Sequence, residues 1–196
     1  MMTKIITYAE EKEHQENEIK NNWFKNHKPT IRHYLCGVSD GITVLDWQEP
    51  GTGIFYVRYV FDRNSMYVSG DLGEAVFRFT EIAIPERIAR YNLDYFCEKL
   101  GAFCDPERDF SRQKAREYIE ERITDYENEK YDKEAYTNLL NIVEDCESID
   151  AYHIALADFD YCRIGNDAWE WISEIGSVIP MRLRSYLIGI QMAVRQ

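Results

Sequence analysis

Hydrophobic positions follow two patterns along the chain. Up to about residue 80 they gather in short runs of β-branched and aromatic residues, punctuated by glycine, proline and polar turns. Beyond residue 85 they recur at three- and four-residue spacing. The first pattern predicts strands in ITVLDWQ (42–48), IFYVRYVF (54–61), MYVSG (66–70) and EAVFRF (74–79), and a short strand or a bridge into the sheet in IRHYLC (31–36). GVSDG, EPGTG, DRNS and the step from Asp71 to Gly73 supply the turns between them. IFYVRYVF is apolar at nearly every position, as a central strand would be. Strands that follow one another through tight turns make an antiparallel meander.

The second pattern predicts helices. IPERIARYNLDYFCEKLGAF reads as a short helix, a break near Asn92 and a second helix ending at Gly101. Ser111 is placed to cap QKAREYIEERITDYENEKY, whose apolar stripe is Ala115, Tyr118, Ile119, Ile123 and Tyr126. KEAYTNLLNIVEDC and SIDAYHIALADF follow, the latter with Ser148 or Asp150 as cap. After Pro180, MRLRSYLIGIQMAVRQ aligns Leu183, Leu187, Ile190 and Val194, a face suited to packing on a sheet. At the other end, residues 8–27 form a polar helix in which only Ile19, Trp23 and Phe24 can dock. The expected fold is therefore α+β, a single domain spanning 1–196. A polar N-terminal helix (8–27) precedes an antiparallel meander of three to five strands (about 31–80). The helical part (85–196) covers that sheet.

Composition adds charge to this outline. The 196 residues carry 23 Lys and Arg against 35 Asp and Glu, a net charge of −12. Such a chain is repelled by nucleic-acid phosphates and anionic lipids, so direct nucleic-acid and membrane binding are disfavoured and basic protein partners favoured. Net acidity also serves solubility. The 14 tyrosines suit a protein-binding surface or the edge of a small core. No apolar run approaches the roughly 20 residues of a transmembrane helix, and the charged N-terminus MMTKIITYAEEKEHQENE is unlike a signal peptide. Five cysteines (Cys36, Cys97, Cys104, Cys146 and Cys162) have neither a disulfide nor a zinc spacing. The expected location is the cytoplasm, with the cysteines reduced.

Motifs that carry chemistry are sparse. His14, His27, His33 and His153 form no HExxH pattern, and no GxSxG or phosphate loop is present. Glu10-Glu11-Lys12 and Glu18-Ile19-Lys20 lie on a polar helix, not on the strand that a Glu-x-Lys nuclease needs. The expectation is no enzyme activity, no catalytic residue, no metal site and no cofactor. Ser69, Gly70, Asp71 and Gly73 form a turn, with Asp71 as the one carboxylate an enzyme reading would use. The candidate partner-binding residues are an acidic run: Glu117, Glu120, Glu121, Asp125, Glu127, Glu129, Asp132 and Glu134. Along a helix rising about 1.5 Å per residue, such carboxylates recur at distances comparable to DNA phosphates. A solvated face balanced by Lys114, Arg116, Arg122 and Lys130 is the plainer reading.

YVSGDLGEAVFRF, YNLDYFCEKLGAFC and RSYLIGIQMAVRQ together resemble small uncharacterised proteins encoded by bacteriophages and prophages. The shared features are an SGD-x-G strand-turn-strand, an LDYF helix and a late YLIGIQMA helix, covering about half the chain. The resemblance transfers no catalytic residue. It implies a phage protein, and with the charge it implies counter-defence. The expected function is inhibition of a basic host nucleic-acid-binding defence enzyme, such as a CRISPR effector nuclease, in the manner of an anti-CRISPR. The alternative is a phage nucleic-acid-processing enzyme, or a regulatory protein with an unidentified ligand.

Overall fold

The structure, a computed structural model, describes residues 6–36, 39–125 and 133–196. The fold is α+β, as the pattern predicts. By internal contacts the chain forms two compact units. A sheet unit comprises His14–Glu107 with Ile179–Gln196, and a helical unit comprises Met1–Glu13 with Arg108–Val178.

The sheet unit holds six antiparallel strands in sequence order: β1 (Lys28–Cys36), β2 (Ser39–Gln48), β3 (Val57–Asp62), β4 (Ser65–Gly70), β5 (Ala75–Arg78) and β6 (Leu100–Phe103). This is the expected meander with one more strand, because the chain returns after two short helices to pair Leu100–Phe103 with β5. Those helices are α2 (Pro85–Ile88) and α3 (Leu93–Glu98), and Asn92 caps α3 by accepting from the Tyr95 amide at 2.8 Å.

Alternation sorts the strand residues between the two sheet faces. Leu45, Trp47, Val57, Tyr59, Phe61, Met66, Val68 and Phe77 are buried on one face. The other face carries Arg32, Tyr34, Arg58, Tyr67 and Arg78, all exposed. Helix α8 (Met181–Ala193) belongs to the buried core, and so do Ile19 and Phe24 from the helix that begins the chain, α1 (Tyr8–Glu18), and the π-turn that extends it. Helix α8 is buried well beyond one stripe. Arg184, Ser185 and Ile188 are also covered, alongside the predicted Leu183, Leu187 and Ile190. Gly189 makes this approach possible, since a Cβ there would run into the Tyr59 hydroxyl and crowd Trp47. The Tyr59 hydroxyl donates to the Tyr186 carbonyl at 3.0 Å, and the Tyr186 hydroxyl donates to the Leu72 carbonyl at 2.7 Å.

One predicted strand starts late. IFYVRYVF becomes a strand only from Val57, because Phe55 has a φ of 54°. That left-handed conformation disfavours a bulky residue and breaks the extended run. Three neighbours hold it. The Asp71 carboxylate accepts from the Phe55 amide at 2.7 Å, His27 Nε2 lies 3.1 Å from its carbonyl, and Trp23 stacks on its ring at 4.9 Å.

The helical unit contains α4 (Arg112–Asp125), α5 (Lys133–Asp145), α6 (Ile149–Leu156) and α7 (Ala168–Trp171), with β7 (Asp109–Phe110) paired to β8 (Ser177–Val178). Its core joins Ala115, Ile119, Leu139, Val143, Tyr152 and Ile172, and none of these belongs to the sheet unit's core. The expected caps are in place: the Ser111 hydroxyl accepts from the Lys114 amide and the Ser148 hydroxyl from the Ala151 amide, both at 3.1 Å. The start of α1, read as solvated, is engaged in this unit. Its Tyr8 amide donates to Glu117 at 2.7 Å, and Glu11 accepts from the Ser111 hydroxyl at 2.7 Å.

Candidate functional site

Charge is distributed very unevenly between the two units. The segments of the helical unit hold ten Lys and Arg against twenty-one Asp and Glu, a net −11. Those of the sheet unit hold thirteen against fourteen, a net −1. Nearly all of the chain's acidity is therefore carried by the helical unit, which makes its surface the first candidate for an electrostatic site.

Helix α4 brings Glu117, Glu120 and Glu121 within one turn of each other, and its last residue is Asp125. Glu117 is committed internally, since it caps the start of α1 and also accepts from Gln113 at 2.9 Å. Glu120 and Glu121 are exposed, and neither carboxylate has a partner among the described residues. Glu134 begins α5 and pairs with Arg163 at 3.0 Å. Glu127, Glu129 and Asp132 lie outside the described residues. The balancing cations are used locally. Arg116 binds Glu144, and Arg122 lies over the rings of Tyr118 and Trp171 at 5.0 and 5.6 Å. Lys114 donates to the Ser177 carbonyl at 2.6 Å, and burial lowers its pKa.

Three further carboxylates of the helical unit lie outside the predicted run. Asp145, Glu147 and Asp150 are exposed around the end of α5 and the start of α6. The run EDCESID carries the signal, four acids and no base, but an interposed Cys and Ser-Ile hide it from a search for continuous charge.

The predicted turn is a turn. Gly70, with a φ of 134°, ends β4 where a Cβ would strike the Tyr56 carbonyl oxygen, and Gly73 has a φ of 93°. The Asp71 amide donates to the Tyr56 carbonyl at 2.8 Å while its carboxylate holds the Phe55 amide. Ser69 faces Arg58 across the β3–β4 pair.

The densest polar cluster was not apparent from sequence. Asp46, buried on the otherwise open sheet face, accepts from Arg32, from the Tyr56 hydroxyl and from Arg58 Nε at 2.7 Å. Burial opposes its ionisation. Hydrogen bonds from Arg58 and Tyr56, with the charges of Arg58 and Arg32, outweigh that and hold its carboxyl below the ordinary value. With both oxygens engaged, Asp46 acts as a strut across β1, β2 and β3. His27 is buried with Nε2 at the Phe55 carbonyl, and burial lowers its pKa. Among the described residues, no three His, Cys, Asp or Glu side chains are grouped as metal ligands, and no helix is long and apolar enough to cross a membrane.

No protein-family model, curated protein or solved structure matches the chain.

Proposed function

We propose that the protein acts by binding, as an acidic phage counter-defence factor that occupies a basic nucleic-acid-binding surface of a host defence enzyme. The observation that carries this reading is the segregation of charge, with −11 of the net −12 in the helical unit. A partner built to hold phosphates presents Lys and Arg along a groove, and unpaired carboxylates such as Glu120 and Glu121 compete for them. The phage-like motifs of the sheet unit and of α8 support the biological setting. A CRISPR effector nuclease is the partner this chemistry fits, encountered in the bacterial cytoplasm without direct contact between this protein and nucleic acid.

The test is a DNA-cleavage assay in which the purified protein is titrated into CRISPR effector nucleases and restriction enzymes. The expected result is stoichiometric inhibition of at least one enzyme, weakening steeply as salt rises. Absence of inhibition across the panel contradicts the reading. Metal-dependent nucleic-acid cleavage by the protein itself, lost in Asp71→Ala, would establish the enzyme alternative instead.

A further inference from the structure

The sheet face turned away from the core departs from the usual alternation. In an antiparallel sheet with one solvated face, the outward positions are commonly polar. Here the strand register sets Val44, Val60, Tyr67, Val76 and Ala102 opposite one another, a single apolar row that crosses β2 to β6 on the outward side. Val44, Val60 and Val76 are half-buried, and Tyr67 and Ala102 are exposed. Four strand spacings of about 4.8 Å make the row about 19 Å long. Val76 and Ala102 also line a hollow of about 220 Å³, together with Phe103 and Cys104. A contiguous apolar row on an exposed face marks an interaction site.

The charge around the row selects the occupant. Among the described outward side chains of the six strands, Lys28, Arg32, Arg58 and Arg78 stand against Asp46 and Asp62, a net +2 where the whole chain carries −12. Asp46 is shared by Arg32 and Arg58, so one of those charges is left over. Arg78 has no carboxylate partner among the described residues. We infer that this face docks an amphipathic helix of a partner protein, apolar along one stripe and acidic beside it. The stripe lies on the valine row, and the acidic side chains meet Arg32, Arg58 and Arg78. A helix covering the row needs about 13 residues at about 1.5 Å each. The core face of the same sheet is already packed in this way, by the 13 residues of α8. A second copy of the chain is a poorer match, because it would set this cationic face against its own kind between two chains of net −12. Single-stranded nucleic acid needs aromatic platforms for its bases, and the row offers one ring among valines. The site does not depend on the acidic surface of the helical unit, so either proposal can fail without the other.

The experiment maps binding to the full chain by NMR of its backbone amides, with three probes. One is a helical peptide of about 14 residues with a leucine stripe flanked by glutamates. The second has lysines in place of the glutamates, and the third is oligo-thymidylate. The glutamate peptide shifts the amides of Val44, Val60, Tyr67 and Val76 with a dissociation constant below about 1 mM, and neither other probe shifts them comparably. Tyr67→Ser weakens the glutamate peptide about tenfold. Arg78→Glu weakens it about fivefold and admits the lysine peptide to the same face. Both replaced side chains are exposed, so the fold is kept. No shifts on this face with the glutamate peptide, equal shifts with the lysine peptide, no loss in either variant, stronger binding of oligo-thymidylate there, or shifts on the face that grow with protein concentration alone would each overturn the assignment.

Discussion

The sheet unit and the helical unit solve the problem of charge in opposite ways. In the sheet unit Asp46 is enclosed by Arg32, Arg58 and Tyr56, Asp105 meets Arg182, and Glu16 is shared by Lys20 and Arg184. These carboxylates are matched to cations, and the unit is nearly neutral. In the helical unit Arg116 and Arg163 pair with Glu144 and Glu134, Arg122 lies over aromatic rings and Lys114 donates to a carbonyl, while Glu120, Glu121, Asp145 and Glu147 stay exposed. Like charges left unpaired on a folded surface are mildly destabilising. A surface that tolerates them is suited to a partner that supplies the missing positive charge, whereas a matched surface is suited to holding a fold.

The contrast is tested first at the level of the two cores. Leu139→Ala removes a fully buried side chain from the helical core and should cost about 3–4 kcal/mol. Gly189→Ala forces a methyl against Tyr59 and Trp47 and should cost about 3 kcal/mol in the sheet unit. Because the cores share no residue, hydrogen exchange should show each loss of protection confined to its own unit. Uniform loss across both would show one cooperative core and break the comparison.

A smaller effect probes the matched charges. Asp46→Asn should cost about 2 kcal/mol at neutral pH, discounted for the half-exposed arginines. Since the native state holds the Asp46 carboxyl below its ordinary value, its contribution is complete above the unfolded pKa of about 4 and fades as pH falls through the folded value. Urea unfolding of wild type and variant should therefore converge in acid, and a difference that persisted unchanged at low pH would count against the network. Smaller again, Ser148→Ala removes the cap of α6 and should cost about 1 kcal/mol.

The first five strands and their order were readable from sequence because runs of β-branched and aromatic residues are separated by turn-forming glycine, proline, asparagine, aspartate and serine. Residues 57–62 alternate cleanly between buried and exposed positions, as a sheet with one open face requires. Two features were not readable. Phe55 bends the chain where its residue type favours a strand, and only Asp71, His27 and Trp23 together hold it there. The sixth strand, Leu100–Phe103, is too short to declare itself and depends on pairing with β5. For the candidate site, the acidic run on α4 was visible as composition, but which carboxylates are already committed was not. Glu117 is used 109 residues away in sequence, at Tyr8. Arg184 looks like an ordinary polar position in α8, and only tertiary burial leaves its Nε and Nη1 without a hydrogen-bond partner.

Matched neutralisation of the two surfaces tests the central claim most directly. One variant carries Glu120→Gln, Glu121→Gln, Asp145→Asn and Glu147→Gln in the helical unit. The other carries Glu74→Gln, Glu86→Gln, Asp94→Asn and Glu98→Gln at exposed sites of the sheet unit. Both shift the net charge by the same amount, and their inhibition constants against the nuclease that the wild-type protein inhibits are compared. The account predicts that the helical variant loses inhibition tenfold or more, about 1.4 kcal/mol or greater, while the sheet variant stays near wild type. Equal losses, or a loss confined to the sheet variant, would contradict it.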